Sequence, residues 1–229
     1  ALALGAAPAA LAQSVAVDSA RSALLSGAYA PAIAVLRAVP RGDSAWLDAQ
    51  RLLARALLTT GKPDEAERVA RLATAQPGGA ALLGTLGAVL RDRGRLAEAE
   101  SAWVRAGRER AIDSLTALVN IGVLRANRGD RDGARRIFAR FIDVYNSRRS
   151  EFTSEDLSAV ALACRHLGDD DPQLFKDALK AYDAAIALDP TNLEARIALG
   201  ELFVDKYNGA DAKSTLDAVL EINPFDPRA

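Results

Sequence analysis

Apolar residues recur along this chain at helical spacing, and each apolar run ends at a turn-forming residue. In one run Leu82, Leu86 and Leu90 lie one turn apart and are followed by Gly94. Residues three or four positions apart share one face of an α-helix, so these runs predict helices that bury one side. The pattern therefore predicts an all-α protein in which glycine marks the ends of helices.

Three kinds of position recur together along the chain, and the first two recur at intervals of 33 to 39 residues. The first is a small residue within an apolar run, the second follows seven residues later, and the third is an alanine beyond it. The first series is Ala20, Ala54, Gly87, Gly122, Ala161 and Gly200. The second is Gly27, Gly61, Gly94, Gly129, Gly168 and Tyr207, and the third is Ala32, Ala66, Ala99, Ala134, Ala178 and Ala212. A period near 34 residues is typical of stacked helical hairpins.

The recurring residues predict how each hairpin is built. The glycines of the second series are expected to close the first helix with a left-handed turn. The small residue of the first helix is expected to face the alanine of the second, because helices approach closely only where side chains are small. Large apolar residues are expected to fill the space between hairpins, and these are Leu57, Leu90, Phe138, Tyr182, Phe203 and Leu216.

This arrangement resembles the tetratricopeptide repeat over residues 13–226. The segments that carry the resemblance best are Leu199-Gly200 through Ala212 to Ile222-Asn223-Pro224, Leu188-Asp189-Pro190, and Asn120-Ile121-Gly122 followed by Gly129-Asp130 and Ala134. The resemblance implies a right-handed superhelical solenoid of about six antiparallel helix hairpins. Its units are expected at about 13–46, 47–79, 80–114, 115–153, 154–192 and 193–226.

Two units are longer than the rest because of polar insertions near Asn146–Thr153 and Asp169–Gln173. Both are expected to be surface loops, which a stack of hairpins tolerates. The acidic run Asp169-Asp170-Asp171 lacks the spacing of a calcium loop, so it predicts a helix-capping carboxylate instead.

In the tetratricopeptide family the first helix of each hairpin lines the concave face, so the resemblance implies which side chains would meet a ligand. These candidates are basic or carry amides in the earlier units and are acidic in the last. They are Arg51, Arg55, Arg91, Asn120, Asn127, Arg165, Glu194, Glu201 and Asp205. The predicted groove thus runs from basic to acidic and would hold a partner segment of opposite charge order. The alternative is a solvated face whose charges only keep the protein soluble.

Composition narrows the functions open to the chain. A net charge of −1 and 5% aromatic residues favour no nucleic-acid partner. The sequence contains no phosphate-loop, dinucleotide, nucleophile-elbow or HExxH motif, so neither an enzyme nor a small-molecule substrate is predicted. His166 and Cys164 are single residues of their types, so no metal site and no cofactor are expected. Cys164 is expected to be a buried, inert thiol, and Trp46 and Trp103 to be core residues.

The sequence therefore predicts a non-catalytic scaffold or adaptor that binds a protein or peptide, which could be another domain of the same polypeptide. Self-association through terminal hairpins is a further possibility. The alternative function is the N-terminal repeat region of a larger exported enzyme, a hydrolase or peptidase, with its catalytic domain beyond residue 229. This alternative comes from the last residues, because 227–229 read as the start of a further repeat.

The first twelve residues are apolar and uncharged, and Ala10-Leu11-Ala12 has the small-x-small pattern of a signal-peptide cleavage site. Residues 1–12 are therefore expected to be a truncated signal peptide of a protein exported to the periplasm or exterior of a bacterium. The alternative is a cytoplasmic protein whose first helix or linker is rich in alanine. No later run is long and apolar enough to predict a membrane span.

Overall fold

The computed structural model describes residues 6–108, 114–147, 152–168, 171–206 and 208–229. These residues form twelve α-helices and one 3₁₀ turn, Gly79–Leu82, and contain no strand. The all-α prediction is confirmed. In chain order the helices are α1 (Ala6–Leu25), α2 (Tyr29–Ala38), α3 (Trp46–Thr59), α4 (Pro63–Thr74), α5 (Leu83–Asp92), α6 (Leu96–Arg108), α7 (Ser114–Asn127), α8 (Arg131–Ser147), α9 (Ser154–Leu167), α10 (Pro172–Leu188), α11 (Leu193–Asp205) and α12 (Gly209–Ile222).

Consecutive helices pair as hairpins, and their order follows the six predicted units. The chain divides into two compact units, Ala1–Ser114 and Leu115–Ala229, at the predicted join between the third and fourth hairpins. In the first unit α1 contacts α3 and α3 contacts α5, so the first helices of successive hairpins are neighbours. In the second unit α9 contacts α11 in the same way. Each unit is thus a stack of hairpins, the arrangement of a helical solenoid.

Left-handed glycines reverse the chain inside the first four hairpins, as predicted. Gly27, Gly61, Gly94 and Gly129 have φ angles between 72° and 85°. In each turn the residue after the glycine donates its N–H to a carbonyl five residues back; the N–H of Lys62, for example, reaches the Leu57 carbonyl at 2.8 Å. This hydrogen bond completes a Schellman closure of the first helix.

The fifth hairpin departs from that prediction. Gly168 has φ −68° and ψ −12°, so it is right-handed and continues the helical geometry. The insertion before α10 explains the difference, because a longer connection does not require the chain to reverse within two residues. Tyr207, at the corresponding place in the sixth hairpin, lies outside the described residues.

A carboxylate caps the start of α10, as the acidic run predicts. Asp171 is the N-cap residue, and its side chain accepts the backbone N–H of Gln173 at 2.9 Å. Asp169 and Asp170 lie outside the described residues. Part of the other insertion, residues 148–151, also lies outside them, and so do residues 1–5 of the predicted signal segment.

The residues of the first and third series are all buried, but the packing against the glycines differs from the prediction. Each glycine lies under the large side chain one turn after the alanine, rather than under the alanine itself. The pairs are Gly87 with Trp103, Gly122 with Phe138, and Gly200 with Leu216. Helical side chains lean toward the N-terminal turn, so a large residue covers the surface beside the preceding alanine.

Phe138 and Leu216 were expected between hairpins, and within their own hairpins both also cover a glycine of the first helix. Phe138 also reaches the next hairpin, where its ring stacks on His166 with centroids 4.8 Å apart. Trp46 and Trp103 are buried as predicted, and the Trp103 indole N–H donates to the Gly84 carbonyl at 3.1 Å.

Ion pairs around Glu67 join α4 to α6 and to the turn that precedes α6. This carboxylate is almost fully buried, and it pairs with Arg71 at 2.6 Å, with Arg93 at 2.9 Å and with Arg95. Burial by itself raises the pKa of the Glu67 carboxyl, but the hydrogen bonds from Arg71 and Arg95 outweigh burial and hold the pKa below its ordinary value of 4.5. Glu98 of α6 extends the cluster by pairing with Arg71 and Arg95.

Candidate partner-binding surface

The candidate residues of the first unit lie on α3 and α5. Arg51 is half-buried and donates to Asp48 at 2.6 and 3.1 Å, while Arg21 of α1 approaches the same carboxylate at 2.5 Å. Asp48 thus ties the first two hairpins together. Arg55 is exposed one turn beyond Arg51, so the two arginines share a face of α3.

Three further candidates occupy less connected positions. Arg91 of α5 is exposed and pairs with the adjacent Asp92 at 2.8 Å. In the second unit Asn120 is half-buried and Asn127 is exposed, and their separation of seven residues places both on one face of α7. The structure brings neither asparagine into a cluster with the charged candidates described next.

The remaining candidates come together between the fifth and sixth hairpins. Arg165 of α9 pairs with Glu201 at 3.3 Å and with Asp205, both on α11. Glu194, at the start of α11, accepts two hydrogen bonds from Arg228 at 2.7 and 3.0 Å. Basic and acidic groups therefore neutralise each other here, which the predicted order of basic and acidic units did not anticipate.

Arg228 is the residue that the sequence analysis missed. It follows a turn in which the Asp226 carboxylate accepts the Arg228 backbone N–H at 3.0 Å. The sequence did carry one signal for this contact. Arg228 lies 34 residues after Glu194, which is one repeat length, and residues one repeat apart lie side by side in a stack of hairpins. Burial lowers the pKa of the Arg228 guanidinium, but Glu194 and Asp226 outweigh it and raise that pKa above its ordinary value.

These groups surround a cleft of about 260 Å³ in the second unit. Its lining residues are Arg165, Glu201, Val204, Asp205, Leu216 and Arg228. Val204 is 57% exposed, so the cleft offers apolar surface between charges of both signs. Such a surface can bind an apolar side chain while its rim meets polar or charged groups of a ligand.

Two groups of this cluster, the Arg165 guanidinium and the Tyr182 hydroxyl, have pKa values that differ from their ordinary values. Burial lowers the pKa of the Arg165 guanidinium, but Asp205 and Glu201 outweigh it and raise the pKa. The Tyr182 hydroxyl is buried and has no hydrogen-bond partner among the described residues. Burial raises the pKa of the Tyr182 hydroxyl. The Arg165 charge lowers this pKa and the Glu201 charge raises it, both by less than burial does, so the hydroxyl stays protonated at neutral pH.

The described residues contain neither a reactive thiol nor a group of metal ligands. Cys164 is buried, and burial raises the pKa of its thiol to about 11, so the thiol is the protonated, unreactive form at neutral pH. Among the residues that the structure describes, no three potential metal ligands form a group. The same residues include no helix whose length and apolar character would let it cross a membrane.

Stacked antiparallel helix hairpins define a helical-repeat protein. Models of the tetratricopeptide repeat match residues 51–114 and 173–229, which together make up more than half of the chain. The chain therefore belongs to the tetratricopeptide repeat family, as its sequence predicts. No curated protein sequence matches it.

Solved structures support the fold. The pilF protein of Pseudomonas aeruginosa is 18% identical with a TM-score of 0.54, and the match covers 95% of this chain and 94% of that one. Human IFIT1, solved as a dimer with m7Gppp-AAAA, is 15% identical with a TM-score of 0.55. That match covers 84% of this chain but only 46% of the IFIT1 chain. At these identities the similarity shows a shared fold only.

Proposed function

We propose that this chain is a non-catalytic scaffold that binds a peptide segment of another protein, or of another domain of the same polypeptide, along its first helices. The observation that carries the proposal is the cleft of the second unit, where exposed Val204 shares the lining with Arg165, Arg228 and Glu201. The surface suits a segment with one apolar side chain and flanking polar groups.

The ion pairs of this cleft can exchange partners when a ligand arrives. The side chains of Glu201 and Asp205 are 57% and 52% exposed, so their pairs with Arg165 are largely solvated and individually weak. A carboxylate of the ligand can therefore replace either partner of Arg165 at little cost. The charges would select orientation more than supply affinity.

Site-specific crosslinking tests the cleft. We expect p-benzoylphenylalanine at Val204 to crosslink a natural partner from cell extract, because this side chain lies in the cleft and is exposed. The matched control places the same group at Leu188, which is 61% exposed in the same unit but outside the cleft. Equal yields at both positions, measured by immunoblotting and mass spectrometry, would reject the cleft as the binding surface.

The arginines of α3 offer a separate test in the first unit. Reversing Arg51 and Arg55 to glutamate is expected to abolish capture of the partner in a pull-down, because the predicted contact there is with acidic groups. Arg51→Glu also repels Asp48, so thermal unfolding of the variant must be measured alongside. Undiminished capture by a folded variant would remove both arginines from the site.

We also propose that the partner is protein rather than nucleic acid, that no cofactor or small-molecule substrate is involved, and that the protein is exported by a bacterium. The net charge of −1 supports the first point, and the apolar segment ending at Ala10-Leu11-Ala12 supports export. N-terminal sequencing of the natural protein from fractionated cells should find it in the periplasm or the medium and beginning at Gln13, and a cytoplasmic form that retains residues 1–12 would refute export. The alternative of a repeat region attached to an exported enzyme gains no support from the fold or the similar structures.

A further inference from the structure

A second cleft lies in the first unit, on the opposite side of α3 from the arginines discussed above. Trp46, Gln50 and Leu53 line it at helical spacing, whereas Arg51 and Arg55 follow the other face of the same helix. Its volume is about 380 Å³, near the lower end of the range of about 300–1,000 Å³ typical of ligand pockets. The cleft is therefore separate from the first-helix surface proposed above.

The cleft contains a polar side chain that makes no hydrogen bond to the described part of the protein. Gln50 is only 6% exposed, and no group in the described part of the chain forms a hydrogen bond with its carboxamide. The carboxamide is therefore available to a ligand that supplies a donor and an acceptor. The backbone amide of a peptide offers both groups.

The charges at the rim leave one cation in excess. Arg37 forms an ion pair with Glu65 across α2 and α4. Arg41 lies above the Trp46 ring, with 5.9 Å between its guanidinium carbon and the ring centroid, and pairs with no carboxylate among the described residues. An incoming carboxylate would therefore be attracted to Arg41.

The rest of the lining is apolar and partly open to solvent. Val39 and Leu53 are buried at the base, Val69 is half-buried, and Leu72 is 47% exposed at the rim. A large apolar side chain seated here would cover Leu72 and remove apolar surface from water.

We propose that this cleft binds an acidic peptide segment of a second protein partner through three contacts. A large apolar side chain of the segment packs against Trp46 and Leu72, its backbone amide bonds the Gln50 carboxamide, and a neighbouring carboxylate pairs with Arg41. The site goes beyond the first-helix function, so the chain can hold two segments at once, one on each side of α3.

NMR titration of the full chain tests the site with a defined probe. The probe is acetyl-Gly-Phe-Asp-Asp-Ser-Gly-amide, and its counterpart carries lysine in place of both aspartates. The two tryptophans give separate indole N–H signals. Trp46 lies in the cleft. Trp103 belongs to the third hairpin, where its indole N–H is hydrogen-bonded to the Gly84 carbonyl, so its signal serves as an internal reference. We expect the aspartate peptide to shift the Trp46 indole and Gln50 side-chain signals and to leave the Trp103 signal unchanged.

Three variants separate the contacts. Arg41→Glu and Gln50→Leu are each expected to weaken binding of the aspartate peptide about fivefold or more. Arg41→Glu should also reverse the preference toward the lysine peptide. Arg108→Glu makes the same charge change on exposed α6 surface outside the cleft and should leave binding unaltered.

The results of this titration test the cleft of the first unit independently of the cleft of the second unit. Absence of any shift at millimolar peptide, equal shifts by both peptides, or unaltered affinity of Arg41→Glu would each overturn it. An unchanged Trp103 signal in each variant shows that the unit remains folded, and Arg41→Gln provides a milder replacement should the charge reversal disturb the fold. Loss of crosslinking at Val204 would leave this site unaffected, so the two proposals fail separately.

Discussion

At the scale of single residues, the glycines of the first helices are explained by what lies above them. Gly87, Gly122 and Gly200 accept an indole, a phenyl ring and a leucine side chain from the second helix of their own hairpins. A β-carbon at Gly200 would stand 2.7 Å from the nearest Leu216 atom, inside van der Waals contact. Glycine is therefore required at Gly87, Gly122 and Gly200 because there is no room for a β-carbon. At Gly61 and Gly94 glycine is favoured because the backbone is left-handed.

Replacing Gly87 with alanine is expected to destabilise the first unit by about 2 kcal/mol, because the new methyl group overlaps the Trp103 ring. The matched control is Gly107→Ala on exposed α6, where a β-carbon meets no atom within 4 Å and removing glycine should stabilise the helix by about 0.5 kcal/mol. Urea unfolding followed by tryptophan fluorescence measures both, since both tryptophans belong to this unit. Equal effects of the two substitutions would contradict the steric explanation.

At the scale of helices, charged side chains connect each hairpin of the first unit to the next. Pairs such as Arg21 with Asp48, Arg37 with Glu65 and Arg71 with Glu98 are separated by 27 or 28 residues. This distance is less than one repeat, because the arginine of one hairpin reaches an earlier turn of the corresponding helix in the next. The most buried member, Glu67, links α4 to Arg93 and Arg95 in the turn between α5 and α6.

Glu67→Gln is expected to lower the stability of the first unit at neutral pH by about 2 kcal/mol, because charge-assisted hydrogen bonds are replaced by weaker ones. The pKa of Glu67 is lower in the folded than in the unfolded protein, so its contribution is present above pH 4.5 and is lost as the pH falls through the folded value. The variant should therefore lose less stability than the wild type between pH 7 and pH 3.

Urea unfolding at both pH values, read by tryptophan fluorescence, provides the measurement. Glu155→Gln, an exposed carboxylate in the other unit, serves as the control and should follow the wild type. If Glu67→Gln showed the same acid sensitivity as the wild type, the ion-pair cluster would not be the source of this pH dependence.

At the scale of the whole molecule, the chain forms two units of three hairpins each. Contacts in a repeat protein join neighbouring elements, and about three repeats are enough to bury a continuous core. The boundary between Ser114 and Leu115 falls one residue inside α7, so it separates the third hairpin from the fourth. Each unit also carries its own cleft.

Separate expression of residues 1–114 and 115–229 is therefore expected to yield two helical, cooperatively melting fragments, as measured by circular dichroism. The control fragment 1–92 removes α6 and with it Trp103, which covers Gly87, so it should melt at a lower temperature than 1–114. An unfolded 1–114 fragment, or one no more stable than 1–92, would show that the contact boundary is not a folding boundary.

The sequence by itself determined the helical class, the hairpin order and the left-handed turns at Gly27 through Gly129, because these depend on local spacing and on the backbone freedom of glycine. It also singled out Arg165, Glu201 and Asp205 individually. Only the tertiary structure decided that these three neutralise one another, that Arg228 joins them, and that Gly168 is right-handed. Contacts between hairpins depend on side-chain direction and on the length of each connection, and neither can be derived from a repeat period alone.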